Sequence, residues 1–94
     1  MSITSITVRI ADDPVPRKFV GRFAWTLNEL IEAGDRGVTS FERPAPRWSH
    51  YIYRLRRDGV GIVTTDEKHS GPYQGTHGRY RLSVPVTVID RVAS

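Results

Sequence analysis

Between Pro46 and Leu82 the hydrophobic period of the chain changes once, from helical to alternating, and the change falls on Asp58-Gly59. At about 100° per residue, Trp48, Ile52 and Leu55 fall within a narrow arc of a helix that starts near Pro46, with Tyr51 on its flank. Arg47, Ser49, His50, Tyr53, Arg54, Arg56 and Arg57 take the rest of the wheel. One side is therefore apolar and the other is crowded with hydrogen-bond donors. Gly59 accepts the left-handed conformation that closes many helices, and Val60 and Ile62 are placed to pack back beneath the end. Ile62 to Lys68 is rich in β-branched residues. From Thr76 to Val84, Tyr80, Leu82 and Val84 alternate with Arg79, Arg81 and Ser83, as a strand requires. The two runs form a hairpin whose tip, His69-Ser70-Gly71-Pro72-Tyr73-Gln74-Gly75, has the composition of an exposed loop.

Upstream, Ile3 to Ile10 reads as a strand, broken by Asp12-Asp13-Pro14-Val15-Pro16, where two close prolines exclude both helix and central strand. From Val20 the period becomes helical: Val20, Phe23, Ala24, Leu27, Leu30 and Ile31 recur at spacings of three and four, and Gly34 is the natural stop. Trp25 projects away from that stripe and suggests a second packing surface. Gly37-Val38-Thr39 suits a very short strand, and Ser40 suits the N-cap of a brief turn through Phe41, Glu42 and Arg43. Pro44 limits that turn, while Pro46 suits the first turn of the basic helix. Val84 to Ile89 is a last strand, with Pro85 favouring a sheet edge. Its expected partner is the strand at 3–10, which would bring the termini together.

Composition narrows the possibilities. Ninety-four residues with 38% hydrophobic content fit one small domain. Cysteine is absent, so neither a disulfide nor a thiolate metal site supports the fold, which suits a reducing cytoplasm. No run of about 18 apolar residues and no signal-peptide pattern occurs, so the expectation is a cytoplasmic protein with no membrane partner. The net charge is +4, and its placement matters more than its size. Residues 43–81 hold eight Arg or Lys against three acids, a net of +5, whereas the remainder holds six against seven. The whole positive excess sits in the helix and hairpin.

The run Trp48-Ser49-His50-Tyr51-Ile52-Tyr53-Arg54-Leu55-Arg56-Arg57-Asp58-Gly59-Val60-Gly61-Ile62, closed by His77-Gly78-Arg79-Tyr80-Arg81-Leu82, resembles small winged helix (helix-turn-helix) domain proteins of bacteria and their phages. In that group Ile-x-x-Leu-Arg-x-x-Gly-x-x-Ile leads into a hairpin ending Tyr-x-Leu. The match covers about 23–82 and departs from the usual pattern at Pro44-Ala45-Pro46. The resemblance implies an α+β winged helix-turn-helix with a shortened second helix, a C-terminal β-hairpin wing and extra terminal strands. The domain would span 1–94, with its core at about 20–84 and terminal strands at 3–10 and 84–89. It implies a double-stranded DNA partner and the role of a small transcriptional regulator or phage-type DNA-associated protein. Helix 46–58 would enter the major groove, and hairpin 62–83 would follow the backbone or minor groove. Carried over by position, Arg47 and Arg54 would fork onto guanine, Ser49, His50 and Tyr53 would meet neighbouring edges or phosphates, and Arg56 and Arg57 would grip phosphates. On the wing the implied contacts are Lys68, His69, Arg79 and Arg81. Neutralising about five phosphates would give a log–log salt slope of roughly −4 to −5.

Other classes have less support. His69 and His77 flank the hairpin tip without a third ligand at a recognisable spacing, so no metal and no other cofactor is expected. No Gly-Lys-Ser/Thr follows the glycines of the tip, which excludes a phosphate loop. Neither a carboxylate pair nor a Ser-His-acid set stands in a supporting context, so neither an enzyme nor a small-molecule substrate is expected. The competing reading is a protein interaction module that uses the same fold through Trp25, Phe41 and the terminal strands. Those β-rich strands also suggest a homodimer.

Overall fold

In the computed structural model, which describes residues 3–39, 42, 47–69 and 75–93, the chain runs β1 (Ile3–Ile10), β2 (Arg17–Val20), α1 (Arg22–Ala33), a 3₁₀ turn (Gly34–Arg36), α2 (Trp48–Arg57), β3 (Ile62–His69), β4 (Gly75–Leu82) and β5 (Val86–Ala93). Two helices and two antiparallel sheets make it α+β. One sheet has the order β2-β1-β5, and the other is the β3-β4 hairpin.

β1 is the centre of its sheet because Ile6, Val8 and Ile10 alternate inward and are buried. After it the chain turns through Ala11, and Asp13 accepts the Val15 N–H at 3.0 Å. β2 then returns antiparallel, pairing Ser5 with Val20 and Val8 with Arg17. Here the structure departs from the helical reading of Val20. That residue ends β2 and is exposed, because Gly21, at φ 64, breaks the backbone between strand and helix. The spacing from Val20 to Phe23 matched a helical step without belonging to one. β5 pairs with β1 as expected and brings Ile3 opposite Ala93. It begins two residues later and ends four residues later than the 84–89 expectation. A bulge places Ile89 as an extra residue between the pairs Val8–Val88 and Thr7–Asp90. The shift in parity turns Arg91 toward α1, where it donates to Asn28 Oδ1 at 2.9 Å and meets Glu32 at 3.2 Å.

α1 lies between the two sheets. Ala24, Leu27 and Leu30 are buried, with Phe23 and Ile31 packed at the margin. Gly34 ends the helix as expected, with φ 57 and its N–H bonded to the Leu30 carbonyl. The next glycine has a stricter reason. At Gly37, φ 72, a Cβ would come within 2.7 Å of the Tyr80 carbonyl oxygen. That close approach lets Val38 bridge Tyr80 through reciprocal 2.9 Å hydrogen bonds, which lays the short expected strand beside β4. The N-cap expected at Ser40, the turn through Phe41 and Arg43, and Pro44 and Pro46 lie outside the described residues. One residue earlier, Thr39 Oγ1 accepts the Glu42 N–H at 3.2 Å while Glu42 accepts the Thr39 N–H at 3.3 Å. This is the reciprocal bonding by which Thr-x-x-Glu sequences open helices.

α2 buries Trp48, Ile52 and Leu55 and keeps Tyr51 at the edge of the core. Trp25, which the sequence left as spare surface, is used internally. Its ring lies 5.5 Å from Trp48, and the Arg22 guanidinium lies 4.4 Å above it. On its other side Trp48 stacks on Tyr80 at 6.0 Å, with 9° between the ring planes. The far end of α2 closes on Gly59, φ 100, where the Val60 N–H reaches back to the Leu55 carbonyl at 3.0 Å. Val60 and Ile62 are buried beneath it. Trp48→Ala should therefore cost about 3–5 kcal/mol, read as a lower midpoint in urea unfolding, while Trp48→Phe should keep most of that stability.

Candidate nucleic-acid interface

The solvent side of α2 carries one continuous ridge. Ser49, Tyr53 and Arg57 follow one another at steps of four, and all three are exposed, Tyr53 to 60%. Arg47 precedes them as the N-cap, also exposed, and is held at φ 68 and ψ 31 in the left-handed region. That conformation costs a non-glycine residue about 1–2 kcal/mol. Among the described residues, the side chains of Arg47, Ser49, Tyr53 and Arg57 make no hydrogen bond or ion pair. The first turn of α2 contains no acid and no side-chain cap, while Arg54, Arg56 and Arg57 occupy the last turn. The helix dipole thus stabilises the trailing cations.

On the flanks of the ridge the expected contact residues divide. His50 and Arg54 lean toward α1. The Arg54 guanidinium lies 5.3 Å from the Phe23 ring centre, with its Nε buried and without a partner, and the His50 ring is 6.3 Å from Phe23. Arg56 leans the other way. It donates to the Ile62 carbonyl at 3.0 Å and to Thr64 Oγ1 at 2.7 Å, tying α2 to β3 while remaining exposed.

Alternation along the hairpin decides the rest. Ile62, Thr64, Asp66 and Lys68 share the face against which α2 lies, and Lys68 is exposed near the tip on that side. His69 closes β3, and its side chain lies outside the described residues. Arg79 and Arg81 point to the opposite face, which the segment after α1 covers. Arg81 donates to the Asp35 carbonyl at 2.9 Å and to Thr65 Oγ1 at 3.2 Å. Arg79, only 16% exposed, donates to Glu67 at 2.6 Å, to Glu42 at 3.0 Å and to the Arg36 carbonyl at 3.1 Å. Both arginines, which the resemblance put on DNA, lock the wing to the body in this structure.

Glu67 and Glu42, which the sequence reading missed, complete this clamp together with His77, whose Nε2 is 3.1 Å from Glu67. A usable signal was present: the hairpin register sets Glu67 opposite His77, with Arg79 next on the same face. The Arg79 hydrogen bond holds the Glu67 carboxyl below its ordinary value, against partial desolvation, and His77 adds to the effect. Burial opposes ionisation of Glu42, but the Arg79 charge and the Thr39 N–H outweigh it. Arg79 is raised in turn, chiefly through its bond to Glu67. A carboxyl whose folded value is depressed stabilises the fold above its unfolded value and loses that contribution as pH falls through the folded one. Unfolding free energy should therefore decline as pH drops below the ordinary Glu value of 4.5. Glu67→Gln should be less stable at neutral pH and show a shallower acid decline, as measured by urea unfolding across pH 3–7, a range of roughly two units either side of that value.

Among the described residues no group of three His, Cys, Asp or Glu side chains is placed to hold a metal, and no helix is long and apolar enough to cross a membrane. A cleft between α1 and Glu42 encloses about 80 Å³, below the roughly 300 Å³ of a small-molecule site. Comparison with curated proteins and with solved structures finds no match. A family model described as a winged helix domain does match, over residues 16–92, which takes in α1, α2, the hairpin wing and most of β5. By that match, and with a cationic helix seated against a β-hairpin, the chain belongs to the winged helix domain family.

Proposed function

We propose that this winged helix protein binds double-stranded DNA as a single domain, with α2 in the major groove and the hairpin tip on the flanking backbone. The observation that carries this reading is the outward ridge of α2, where Arg47, Ser49, Tyr53 and Arg57 are exposed and no acid of the described chain engages them. In this fold the recognition helix meets base edges with its N-terminal half. Arg47, Ser49 and Tyr53 are the base-reading candidates, and Arg57 is a phosphate contact further along. Arg54 and His50, braced on Phe23, would grip the phosphate strand on the α1 side. Lys68 and His69 would reach the backbone at the wing. Arg56, Arg79 and Arg81 leave the DNA surface and serve the scaffold. A role as a small cytoplasmic regulator of transcription rests on the resemblance to bacterial and phage winged helix proteins.

A second reading has its own observation. Tyr53 on the α2 ridge is exposed to 60%, so a protein partner would find an apolar anchor there. The two readings separate by ionic strength. A protein partner would depend on Tyr53 with little response to salt.

For the DNA reading, a fluorescence anisotropy titration on random and genomic duplexes should give a log–log salt slope of about −3 to −4, for about four phosphate contacts. Arg57→Ala should make that slope shallower by about one unit. An unchanged slope and affinity in that variant would remove α2 from the interface. Arg47→Gly should weaken DNA binding severalfold while raising unfolding free energy by up to about 1 kcal/mol, because glycine relieves the left-handed strain. Opposite signs for binding and stability mark a residue retained for contact.

A further inference from the structure

The sheet β2-β1-β5 covers α1 with one face; on the other, the flanking strands expose Lys18, Val20, Asp90 and Val92 around a buried Ser5 and a half-buried Thr7 on β1. Register alone orders that outer face into rows across the three strands. One row is Val20–Ser5–Val92, and the next is Lys18–Thr7–Asp90. The bulge leaves Ile89 unpaired next to Asp90. Val20, Ile89 and Val92 are exposed to 59%, 48% and 48%. Lys18 and Asp90 are exposed and have no ion-pair partner among the described residues. They stand on opposite outer strands, separated by the width of β1 and roughly 9–10 Å apart at ordinary strand spacing.

We infer that this outer face takes a second copy of the same chain, stacked sheet on sheet about a two-fold axis parallel to β1. Rotation about that axis exchanges β2 with β5 and leaves each row in place. Lys18 then lies over Asp90 of the second copy and Val20 over its Val92, and symmetry makes each contact twice. Thr7 and Ser5 meet their own copies along the axis, where small polar side chains allow close approach. The other in-plane axis, running across the strands through the Lys18–Thr7–Asp90 row, would set Lys18 on Lys18 and Asp90 on Asp90. Charge therefore selects one orientation. Arg9, one row beyond Thr7, faces its own copy and marks where the contact ends; its length lets the guanidinium swing out to water.

Edge-to-edge pairing is the competing way to join two such sheets, and both edges are blunted. β2 offers four residues, two of them Arg17 and Lys18. β5 is preceded by Pro85 and interrupted by the bulge at Ile89. Short charged strands and bulges are the usual devices that keep edges apart. The proposed contact uses neither α2 nor the wing, so it stands or falls independently of DNA binding.

A face three strands wide lies at the small end of stable interfaces, so sedimentation equilibrium of the full chain at low salt should show a monomer–dimer equilibrium with a dissociation constant of about 1–100 μM. Lys18→Asp and Asp90→Lys should each weaken the dimer at least about tenfold by setting like charges together. The double variant should return to within about threefold of the original affinity, because the swapped pairs again match. Thermal unfolding followed by circular dichroism should be nearly unchanged in all three, since neither side chain has an ion-pair partner among the described residues of its own chain. A monomer at every concentration would overturn the proposal. So would a dimer indifferent to the single swaps, as β5 edge pairing would give, or single-swap losses that the double variant does not restore.

Discussion

The indole of Trp48 lies parallel to Tyr80 of the wing on one side and beside Trp25 of α1 on the other. It is the first residue of α2, so this stack seats the start of the helix against both the body and the hairpin at once. Aromatic pairs at these separations contribute about 0.5–1.5 kcal/mol each beyond the area they bury, and they fix an angle that aliphatic packing would leave looser. At the other end Arg56 ties the helix to β3, and the turn at Gly59 lets Val60 and Ile62 tuck beneath. With both ends held, rotation of α2 about its axis is closed off. Ser49, Tyr53 and Arg57 then face outward by geometry, because the opposite arc is occupied by Trp48, Ile52 and Leu55.

The positive charge of this region is divided between two tasks. Arg79 and Arg81 join the wing to the segment after α1 through the Glu42 carboxylate and the backbone carbonyls of Asp35 and Arg36, while Glu67 holds Arg79 within the wing. Arg56 joins helix to strand. Among the described residues of this region, the cations exposed without an internal partner are a narrower set, Arg47, Arg57 and Lys68, with the half-buried Arg54 braced on Phe23. A count of basic residues between 43 and 81 thus overstates the charge available to an anion. The rigidity gained from the internal arginines is nevertheless part of the function proposed, since a wing that moved relative to α2 could not hold a fixed spacing on a duplex.

Much of the architecture was legible because local patterns and tertiary packing agree. The arc of Trp48, Ile52 and Leu55, the stop at Asp58-Gly59, the alternation of Tyr80 and Leu82 and the pairing of the terminal strands all appear where period and turn chemistry put them. The failures have specific causes. Val20 sat at a helical spacing from Phe23, but the positive φ of Gly21 ended one element and began another between them. β2 was hidden by its length, four residues with a single buried side chain, Phe19. The candidate site was only half readable. Which face of α2 looks outward follows from the sequence, and so does the parity of Arg79 and Arg81. That their face of the hairpin is covered does not follow, because the residues covering it lie more than 30 positions away in the chain. Trp25 was read as a second packing surface, but that its partner is Trp48 only the tertiary structure reveals.

The account rests on α2 being pinned so that its outward ridge is the surface that meets DNA. Backbone amide chemical shifts, followed by NMR during titration with a duplex, test this residue by residue. The account requires the largest changes at Arg47, Ser49, Tyr53, Arg54 and Arg57, smaller ones near Lys68, and amides at Arg79 and Arg81 close to their free positions. Changes concentrated at Arg79 and Arg81, or on the outer face of the β2-β1-β5 sheet with the α2 ridge unmoved, would contradict it.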